Sequence, residues 1–373
     1  MSSKTHQALV LDAQNKPLRQ STLPIPTASP GSAIIQVLVT NIGAQTRNIL
    51  SGKIPGFLKT PVVPSAQTIG RIHSVGPDST SLQVGQLVFV DFYTRSRDNS
   101  DHGMLQGYIS FTPEGAKLMG EEWGCGTFGQ YARMPLENIF PLNEDVLVNK
   151  LGYSFGDLSM IGPQAVAMGG LSEVEVHPGD TVIVAPATGL YGGTCVQVAL
   201  ALGARVIAAG RNAATLDRLQ SVLGASGRLS TVKLVGDVEA DAAALKNASG
   251  SESGADIYVD WSPPTAAKST HYQSCLAALR PWGRAVLNGA PVGNVEIPYA
   301  LVMAKSLRIQ GRLMFDRVHV RRLISMIESG LLKLGSGEGS GVTVEAFKME
   351  QIESALEHGE KDVRWGQQVV MEM

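Results

Sequence analysis

The sequence predicts an α/β protein of two domains, a β-rich domain and a doubly wound parallel sheet. Three observations support this fold class. The chain has 373 residues, more than a single hydrophobic core usually organises. Residues 1–150 hold short runs rich in Val, Ile and Phe between turn residues, with no long helical period. From about residue 153 onward, short buried strands alternate with helices, as they do in βαβ units.

The predicted elements divide the chain as follows. Strands of the β-rich domain are expected at 34–40, 68–75 and 87–92. The alternating region has strands at 182–185, 205–209, 231–235, 257–260 and 285–288, and helices at 194–202, 213–223, 240–248 and 266–279. The remaining residues are too few for a separate core and are expected to complete the first domain. We therefore assign residues 1–157 and 306–373 to the first domain and 158–305 to the second.

Composition excludes several classes of function. The formal net charge is only -2, so nucleic acid is an unexpected partner. No run of about 20 apolar residues could span a membrane, and the first residues lack the pattern of a secretory signal, so a cytoplasmic location is expected. The cysteines are odd in number and widely separated, which favours ordinary buried thiols over a disulfide framework: Cys125, Cys195 and Cys275.

The strongest chemical signal is a Gly-rich turn between a predicted strand and a predicted helix. Ala187, Gly189 and Gly192 form an A-x-G-x-x-G variant of the Rossmann phosphate-binding turn, whose other residues are Thr188, Leu190 and Tyr191. The glycines allow the backbone to approach a pyrophosphate and allow helix and strand to pack closely. The helix N-terminus supplies free N–H groups and a positive dipole. Dinucleotide binding is therefore predicted, with the Tyr191 side chain packing on the cofactor.

The residues after the next strand favour NADPH over NADH. An NAD site usually presents an acid about 20 residues beyond the turn, which hydrogen-bonds the ribose 2′-hydroxyl. This chain has Gly210, Arg211 and Asn212 there, so a guanidinium is available for a 2′-phosphate and no carboxylate repels it. The alternative is a solvated Arg at a strand end. By the rule that ligands bind at the carboxyl ends of such strands, Asn288, Gly289 and Leu313 are expected to border the nicotinamide.

Over nearly its whole length the chain resembles the medium-chain dehydrogenase/reductase superfamily. The resemblance lies in the phosphate turn and in three local segments: Val84-Gly85-Gln86-Leu87-Val88, Gly126-Thr127-Phe128-Gly129-Gln130-Tyr131 and His177-Pro178-Gly179-Asp180-Thr181-Val182. It implies that the β-rich domain is GroES-like, that the second domain is a Rossmann domain, and that the protein is a homodimer.

The sequence departs from the zinc-dependent members of that superfamily. By similarity, their three catalytic ligands correspond to Gly43, Ala66 and a position near Pro163, and none of these side chains binds zinc. The lobe that holds a structural zinc in many relatives corresponds to 94–124, which has no cysteine. We therefore predict no metal and a zinc-independent branch, similar to quinone oxidoreductases and enoyl reductases.

Without a Lewis acid, hydride transfer to an activated C=C bond (enone or enoyl) or a quinone is favoured, because the enolate formed from a conjugated carbonyl delocalises its charge. A zinc-free carbonyl reductase or alcohol dehydrogenase is the first alternative, and a non-catalytic cofactor-binding protein is the second. The resemblance places Asn48 and Tyr93 in the substrate pocket as candidate catalytic residues, although Tyr93 is nearly as compatible with a structural role. Asp91 is interpreted as a strand-end or loop-ordering carboxylate.

The loop 94–124 is long for a connection without secondary structure. It contains aromatic and basic residues that would cover a small-molecule substrate of aromatic or polyketide size. A surface lobe without a role in binding is the equally weighted alternative.

Overall fold

The computed structural model describes residues 4–120, 122–361 and 364–373. The chain divides into two compact units. The first consists of Met1–Gly162, Thr343–Val363 and Gln367–Met373, and the second of Pro163–Val342 and Arg364–Gly366. Each unit has its own sheet and its own buried core, and the chain passes between them four times.

The residues up to 173 form mainly strands. The strands are β1 (Thr5–Val10), β2 (Arg19–Pro24), β3 (Ser32–Ile42), β4 (Thr68–Val75), β5 (Leu87–Val90), β6 (Tyr93–Arg95), β7 (Gly103–Leu105), β8 (Ile109–Ser110), β9 (Tyr131–Pro135) and β10 (Ile139–Pro141). The helices are α1 (Thr46–Leu50), α2 (Pro113–Lys117), α3 (Phe155–Leu158) and α4 (Ile161–Glu173). A further helical turn of π type covers Asp145–Lys150.

The rest of the chain alternates strands and helices before its C-terminal return. Its strands are β11 (Thr181–Ala185), β12 (Arg205–Gly210), β13 (Leu229–Lys233), β14 (Ala255–Asp260), β15 (Leu279–Leu287), β16 (Arg308–Gly311), β17 (Thr343–Lys348) and β18 (Gln367–Glu372). Its helices are α5 (Leu190–Ala201), α6 (Ala213–Leu223), α7 (Val238–Ser249), α8 (His271–Ala277), α9 (Tyr299–Ala304), α10 (Arg317–Glu328) and α11 (Ile352–Lys361).

The first unit is organised around a seven-stranded sheet. Its order is β10-β5-β4-β3-β18-β17, with β9 also paired to β3. One face of this sheet packs into a cluster of buried aliphatic residues that includes Ile35, Val37, Ile72, Val88 and Val90. Alternate residues of β3 enter this cluster, as expected for a strand with one face on a core. Strands β17 and β18 come from the C-terminal return, so the end of the chain completes the sheet.

The lobe after β5 contains regular structure, which the sequence analysis did not predict. Strands β6, β7 and β8 form a three-stranded antiparallel sheet, and α2 follows with a Thr112 cap whose hydroxyl accepts from the Gly115 N–H at 3.1 Å. Met104, Met119 and Trp123 are buried together in the same lobe. Residues 94–124, apart from residue 121, are therefore a small folded lobe and not a structureless loop.

The second unit contains a six-stranded sheet in which every pairing is parallel. Its order is β13-β12-β11-β14-β15-β16, and helices connect successive strands. All five residues of β11 are buried, as expected for the centre of a sheet covered on both faces. The predicted fold class, a β-rich domain plus a doubly wound parallel sheet, is confirmed.

Residues 306–342 lie in the second unit, whereas the sequence analysis assigned them to the first domain. The physical reason is strand pairing, because β16 extends the parallel sheet through four register pairs with β15. Helix α10 then places Val320, Leu323 and Ile327 in buried positions. The first unit resumes only at Thr343, where β17 begins.

Candidate functional site

The phosphate turn has the arrangement that the motif predicts. Strand β11 ends at Ala185, and Gly189 is the N-cap of α5. Within the turn, the Ala187 N–H donates to the carbonyl oxygen of Ala209 at 2.7 Å. A Cβ atom at Gly192 would overlap the carbonyl oxygen of Pro186, so no other residue type allows this close approach of helix to strand. Gly192 thus fixes the packing for which the motif requires it.

Helix α5 begins at Leu190, four residues earlier than predicted. Leu190 and Tyr191 therefore belong to its first turn and not to a loop. The N–H groups of a first helical turn have no partner within the helix and carry the positive end of its dipole. With twelve residues, α5 is long enough to present these amides to a pyrophosphate beside Gly189.

The end of β12 presents a cation and no acid. Gly210 ends the strand, and a Cβ atom there would lie 2.7 Å from Cγ2 of Thr188 in the phosphate turn. Arg211 follows with an exposed side chain, which makes no hydrogen bond or ion pair within the described part of the chain. Asn212 caps α6, because its side-chain oxygen accepts from the Thr215 N–H at 3.1 Å. The Asn212 oxygen is therefore occupied, while the Arg211 guanidinium is available.

The predicted residues at the ends of β15 and β16 have different surroundings. Asn288 Nδ2 donates to the carbonyl oxygen of Arg312 at 3.0 Å, so its amide links the ends of the two strands. The Gly289 N–H donates to Oδ2 of Asp260 at 3.1 Å. Leu313 is 44% exposed, which leaves its side chain accessible to a ligand.

Two aromatic residues lie together at the centre of the carboxyl edge, and the sequence analysis identified only one of them. Tyr191 in the first turn of α5 stacks on Trp261, with ring centroids 5.9 Å apart and ring planes 14° from parallel. Trp261 directly follows β14, and its backbone N–H donates to the carbonyl oxygen of Ala185 at 3.0 Å. The strand-end rule applied to 257–260 would have found Trp261, since it is the first residue after that strand.

A short C-terminal segment also contacts the phosphate turn. The Trp365 N–H donates to the carbonyl oxygen of Thr188 at 2.9 Å, and Arg364 forms an isolated bridge with Gly189. The Trp365 ring is 2% exposed and covers Gly193, where a Cβ atom would overlap it. No local sequence signal indicates this contact, because about 170 residues of folded chain separate the two segments.

A buried polar network supports the residues around Trp261. Asp260 Oδ1 accepts from the hydroxyl of Ser262 at 2.5 Å and from that of Tyr258 at 3.2 Å. Because the Ser262 proton points to Asp260, His271 Nε2 donates to Ser262 Oγ at 2.9 Å. Asp260, Ser262 and His271 are all at least 96% buried. The network therefore holds the chain rigidly on both sides of Trp261.

The two candidate catalytic residues both lie in the first unit. Asn48 is half-buried in α1, and its Nδ2 donates to Oε1 of Gln45 at 3.0 Å. Tyr93 is the first residue of β6, and the Arg95 guanidinium lies 5.0 Å from the centroid of its ring. Among the described residues, no hydrogen bond joins Asn48 to Tyr93, and none is made by the Tyr93 hydroxyl. The Tyr93 hydroxyl is therefore the freer of the two donors.

Asp91 is a buried carboxyl group beside the predicted pocket residues. Burial raises the pKa of Asp91 to about 7, although hydrogen bonds from the Tyr93 and Phe92 N–H groups act in the opposite direction. Asn138 Nδ2 donates to the carbonyl oxygens of Asp91 and Tyr93, both at 3.0 Å. The backbone of this segment is thus held by Asn138, and the interpretation of Asp91 as a strand-end or loop-ordering carboxylate stays a prediction.

Two of the positions that correspond to zinc ligands lie beside threonine hydroxyl groups. Ala66 is buried, and its N–H donates to Oγ1 of Thr127 at 2.9 Å. Gly43 follows β3, and a Cβ atom there would meet only Oγ1 of Thr46 within 4 Å. Pro163 lies in α4. Within the described ranges, no three or more His, Cys, Asp or Glu residues are grouped so that they could hold a metal ion.

Two family models match this chain. The model described as the alcohol dehydrogenase GroES-like domain matches residues 29–144, and the model described as zinc-binding dehydrogenase matches residues 192–329. The chain belongs to the medium-chain dehydrogenase/reductase superfamily. It is an oxidoreductase of this superfamily.

Similar members of the superfamily match over almost the whole chain. An alcohol dehydrogenase of Moraxella sp. (strain TAE123) is 23% identical over 352 residues, which are 94% of this chain and 95% of the relative. The solved structure of an E. coli CFT073 alcohol dehydrogenase (rspB) with NADH has a TM-score of 0.77 at 20% identity, over 99% of each chain. A protein described as a zinc-binding dehydrogenase of Sinorhizobium meliloti 1021, bound to NADP, has a TM-score of 0.76 at 17% identity, over 100% of each chain.

The residues of this superfamily member fit a dinucleotide and do not fit a zinc ion. Gly192 and Gly210 create close approaches of the kind that a dinucleotide turn requires, and Gly189 is the N-cap of α5. In contrast, Gly, Ala and Pro at the three corresponding zinc positions provide no side-chain N, O or S ligand. No helix in the described residues is long and apolar enough to cross a membrane.

Proposed function

We propose that the protein is an NADPH-dependent oxidoreductase that transfers hydride to an activated C=C bond or a quinone of a small molecule, without a catalytic zinc. The observation that carries the proposal is the pairing of an intact phosphate turn with Arg211 at the end of β12. The turn provides the first-turn amides of α5, and Arg211 provides the only charged side chain among the three residues from 210 to 212. A pyrophosphate and a 2′-phosphate are the groups that such donors bind.

The preference for NADPH rests on charge. A 2′-phosphate beside the exposed Arg211 gains a charge-assisted hydrogen bond, whereas a 2′-hydroxyl gains only a neutral one. Neither Gly210 nor Asn212 offers a carboxylate that could accept hydrogen bonds from the adenosine ribose hydroxyls of NADH. One structurally similar protein is described with NADH and another with NADP. The similarities therefore support a nicotinamide cofactor but do not distinguish NADH from NADPH.

When bound, NADPH supplies a hydride, and the residues of this chain must then stabilise the negative charge formed on the substrate. An alkoxide is a localised charge that a zinc ion usually stabilises, and the required ligands are missing at Gly43, Ala66 and Pro163. An enolate spreads its charge over carbon and oxygen, so one hydrogen-bond donor and a solvent proton suffice. The Tyr93 hydroxyl, which lacks a protein partner among the described residues, is the donor that we assign to the substrate oxygen.

A second candidate function is zinc-free reduction of a carbonyl group or oxidation of an alcohol. The observation that favours it is the activity for which relatives are named, since they include alcohol dehydrogenases and a probable D-xylulose reductase of Aspergillus clavatus. These names refer to the interconversion of C–OH and C=O groups. The two candidates differ in the bond that receives the hydride, so product analysis separates them.

The test uses the purified full-length chain, NADPH and a simple cyclic enone. Hydride addition to the β-carbon and protonation of the α-carbon give a saturated ketone, which supports the first candidate. Hydride addition to the carbonyl carbon gives an allylic alcohol, which supports the second. Intact NADPH binding without turnover of enones, quinones or ketones would instead indicate a non-catalytic cofactor-binding protein.

Metal analysis of the same preparation tests the zinc-free mechanism separately. We expect much less than one zinc per chain after dialysis, with unchanged turnover when a chelator is added. One tightly held zinc per chain, or loss of turnover on chelation, would contradict the assignment. Because the assay measures metal content as well as rate, it remains informative even if the substrate chosen is a poor one.

A further inference from the structure

We propose that Trp261 is a cofactor-contact residue that, together with Tyr191, forms an aromatic wall against which the nicotinamide ring of the dinucleotide packs. This inference rests on the proposed dinucleotide binding and adds a residue that no family motif specifies. It begins from the topology of the sheet. Strands β11 and β14 are adjacent, yet the chain continues from β11 to β12 on one side and from β14 to β15 on the other. A crevice at the carboxyl ends of such a pair is where ligands bind in open α/β sheets.

Both aromatic residues come from the two strands that flank this crevice. Tyr191 follows β11 through the phosphate turn, and Trp261 is the first residue after β14. Their rings are nearly parallel, and the Tyr191 side chain is still 41% exposed. Trp261 itself is half-buried. A stacked aromatic pair beside a phosphate turn, with one ring exposed and the other partly exposed, provides a flat apolar surface that a planar heterocycle can cover by offset stacking.

The position of Trp261 is fixed before any ligand arrives. The backbone N–H of Trp261 donates to the carbonyl oxygen of Ala185. Its two neighbours, Asp260 and Ser262, are hydrogen-bonded to each other and to the segment after β15. The N–H of Asn288 donates to the Asp260 carbonyl oxygen at 3.2 Å, and the N–H of Ala290 donates to that of Ser262 at 3.0 Å. The backbone that carries the indole is thus preorganised, so binding need not order it and little affinity is lost to that part of the entropy cost.

The direction of the dinucleotide determines which ring reaches the wall. Arg211, the proposed partner of the 2′-phosphate, lies at the end of β12, so the adenosine half belongs on that side of the phosphate turn. The other mononucleotide half must then extend toward β14 and β15. Trp261 stands at the end of β14, and Gly289 stands just beyond the end of β15. The ring that meets Trp261 is therefore the nicotinamide and not the adenine.

The experiment compares two ligands that differ in the nicotinamide half. Calorimetric titrations of the full chain with NADPH and with adenosine 2′,5′-bisphosphate, which lacks the nicotinamide, are measured for wild type, Trp261→Ala and Trp261→Phe. We expect Trp261→Ala to weaken NADPH up to about tenfold and to leave the bisphosphate unchanged. Trp261→Phe keeps a ring and should bind NADPH nearly as wild type does, which also covers the case in which the alanine variant fails to fold.

Energy transfer provides a readout that is independent of affinity. Bound NADPH absorbs tryptophan emission, and the chain has four tryptophans. Trp282→Phe is the matched control, because Trp282 is 66% exposed near the amino-terminal end of β15, at the opposite edge of the sheet. Energy transfer to saturating NADPH should fall in Trp261→Phe and stay unchanged in Trp282→Phe.

The inference is overturned if Trp261→Ala weakens both ligands equally, if it weakens neither, or if energy transfer is the same in Trp261→Phe and wild type. Failure of the proposed dinucleotide binding has a different signature, because wild type would then bind neither NADPH nor NADH. If wild type binds NADH only, the NADPH preference is wrong, and the same comparison is made with NADH and ADP-ribose.

Discussion

Replacing Asp91 by Asn should make the protein more stable, relative to wild type, as the pH rises from acid to neutral. The Asp91 side chain is only 5% exposed, and burial raises its pKa to about 7. The folded state therefore holds this proton at pH values where the unfolded chain has already released it. As pH rises, ionising Asp91 costs more in the folded state than in the unfolded state, so the carboxyl group lowers the stability of the fold at neutral pH.

The magnitude follows from the difference between the two pKa values. An unperturbed Asp has a pKa of about 3.9, so the shift is about 3 units, which corresponds to about 4 kcal/mol of unfolding free energy above pH 7. The penalty is absent below about pH 4, where the carboxyl group is protonated in both states. The amide that replaces it in Asp91→Asn never ionises. The difference in unfolding free energy, variant minus wild type, should thus increase by about 4 kcal/mol between about pH 4 and pH 8.

Urea denaturation of both proteins across this pH range measures the difference directly. Asp101→Asn is the matched control, because Asp101 is an exposed residue of the same unit and its replacement should leave the difference nearly flat. A constant offset between Asp91→Asn and wild type at every pH would show that the carboxyl group is not destabilised by burial. That result would refute the reasoning.

The remaining predictions concern the second unit and the assembly. Gly192→Val should abolish dinucleotide binding, because the valine side chain would overlap the Pro186 carbonyl oxygen, and unchanged affinity in calorimetry would contradict the assignment of the phosphate turn as the binding site. Asp260→Asn should destabilise the fold by about 2 kcal/mol, because its Nδ2 cannot accept from the Gly289 N–H, and an unaltered thermal midpoint would argue against the network. We also expect a homodimer, because β16 leaves an open edge on the parallel sheet among the described strands; a monomer mass by light scattering would contradict this.

The local parts of the fold and of the site could be predicted from the sequence. Gly189 and Gly192 lie in a strand–turn–helix segment that the spacing of the motif indicates, and the structure contains that segment. The helix start was predicted four residues too late, since Gly-rich residues have weak helical propensity and only packing against β11 makes them helical. The local sequence pattern is thus sufficient to predict a feature whose contacts are made between residues close together in the sequence.

The features that were missed depend on contacts between distant segments. Trp365 reaches the phosphate turn only because the chain crosses back near its end, and no periodicity around residue 365 indicates this. Residues 306–342 join the parallel sheet through pairing of β16 with β15, which the strand pattern alone does not specify. The stack of Tyr191 on Trp261 likewise requires the order of strands to be known.

The central claim is that the second unit binds a dinucleotide and prefers NADPH through Arg211. Calorimetric titration of wild type and Arg211→Ala with NADPH and NADH tests it most directly. We predict that wild type binds NADPH more tightly, and that Arg211→Ala weakens NADPH by about tenfold while NADH changes little. Equal affinities of wild type for the two nucleotides, or equal losses of both in the variant, would contradict the claim.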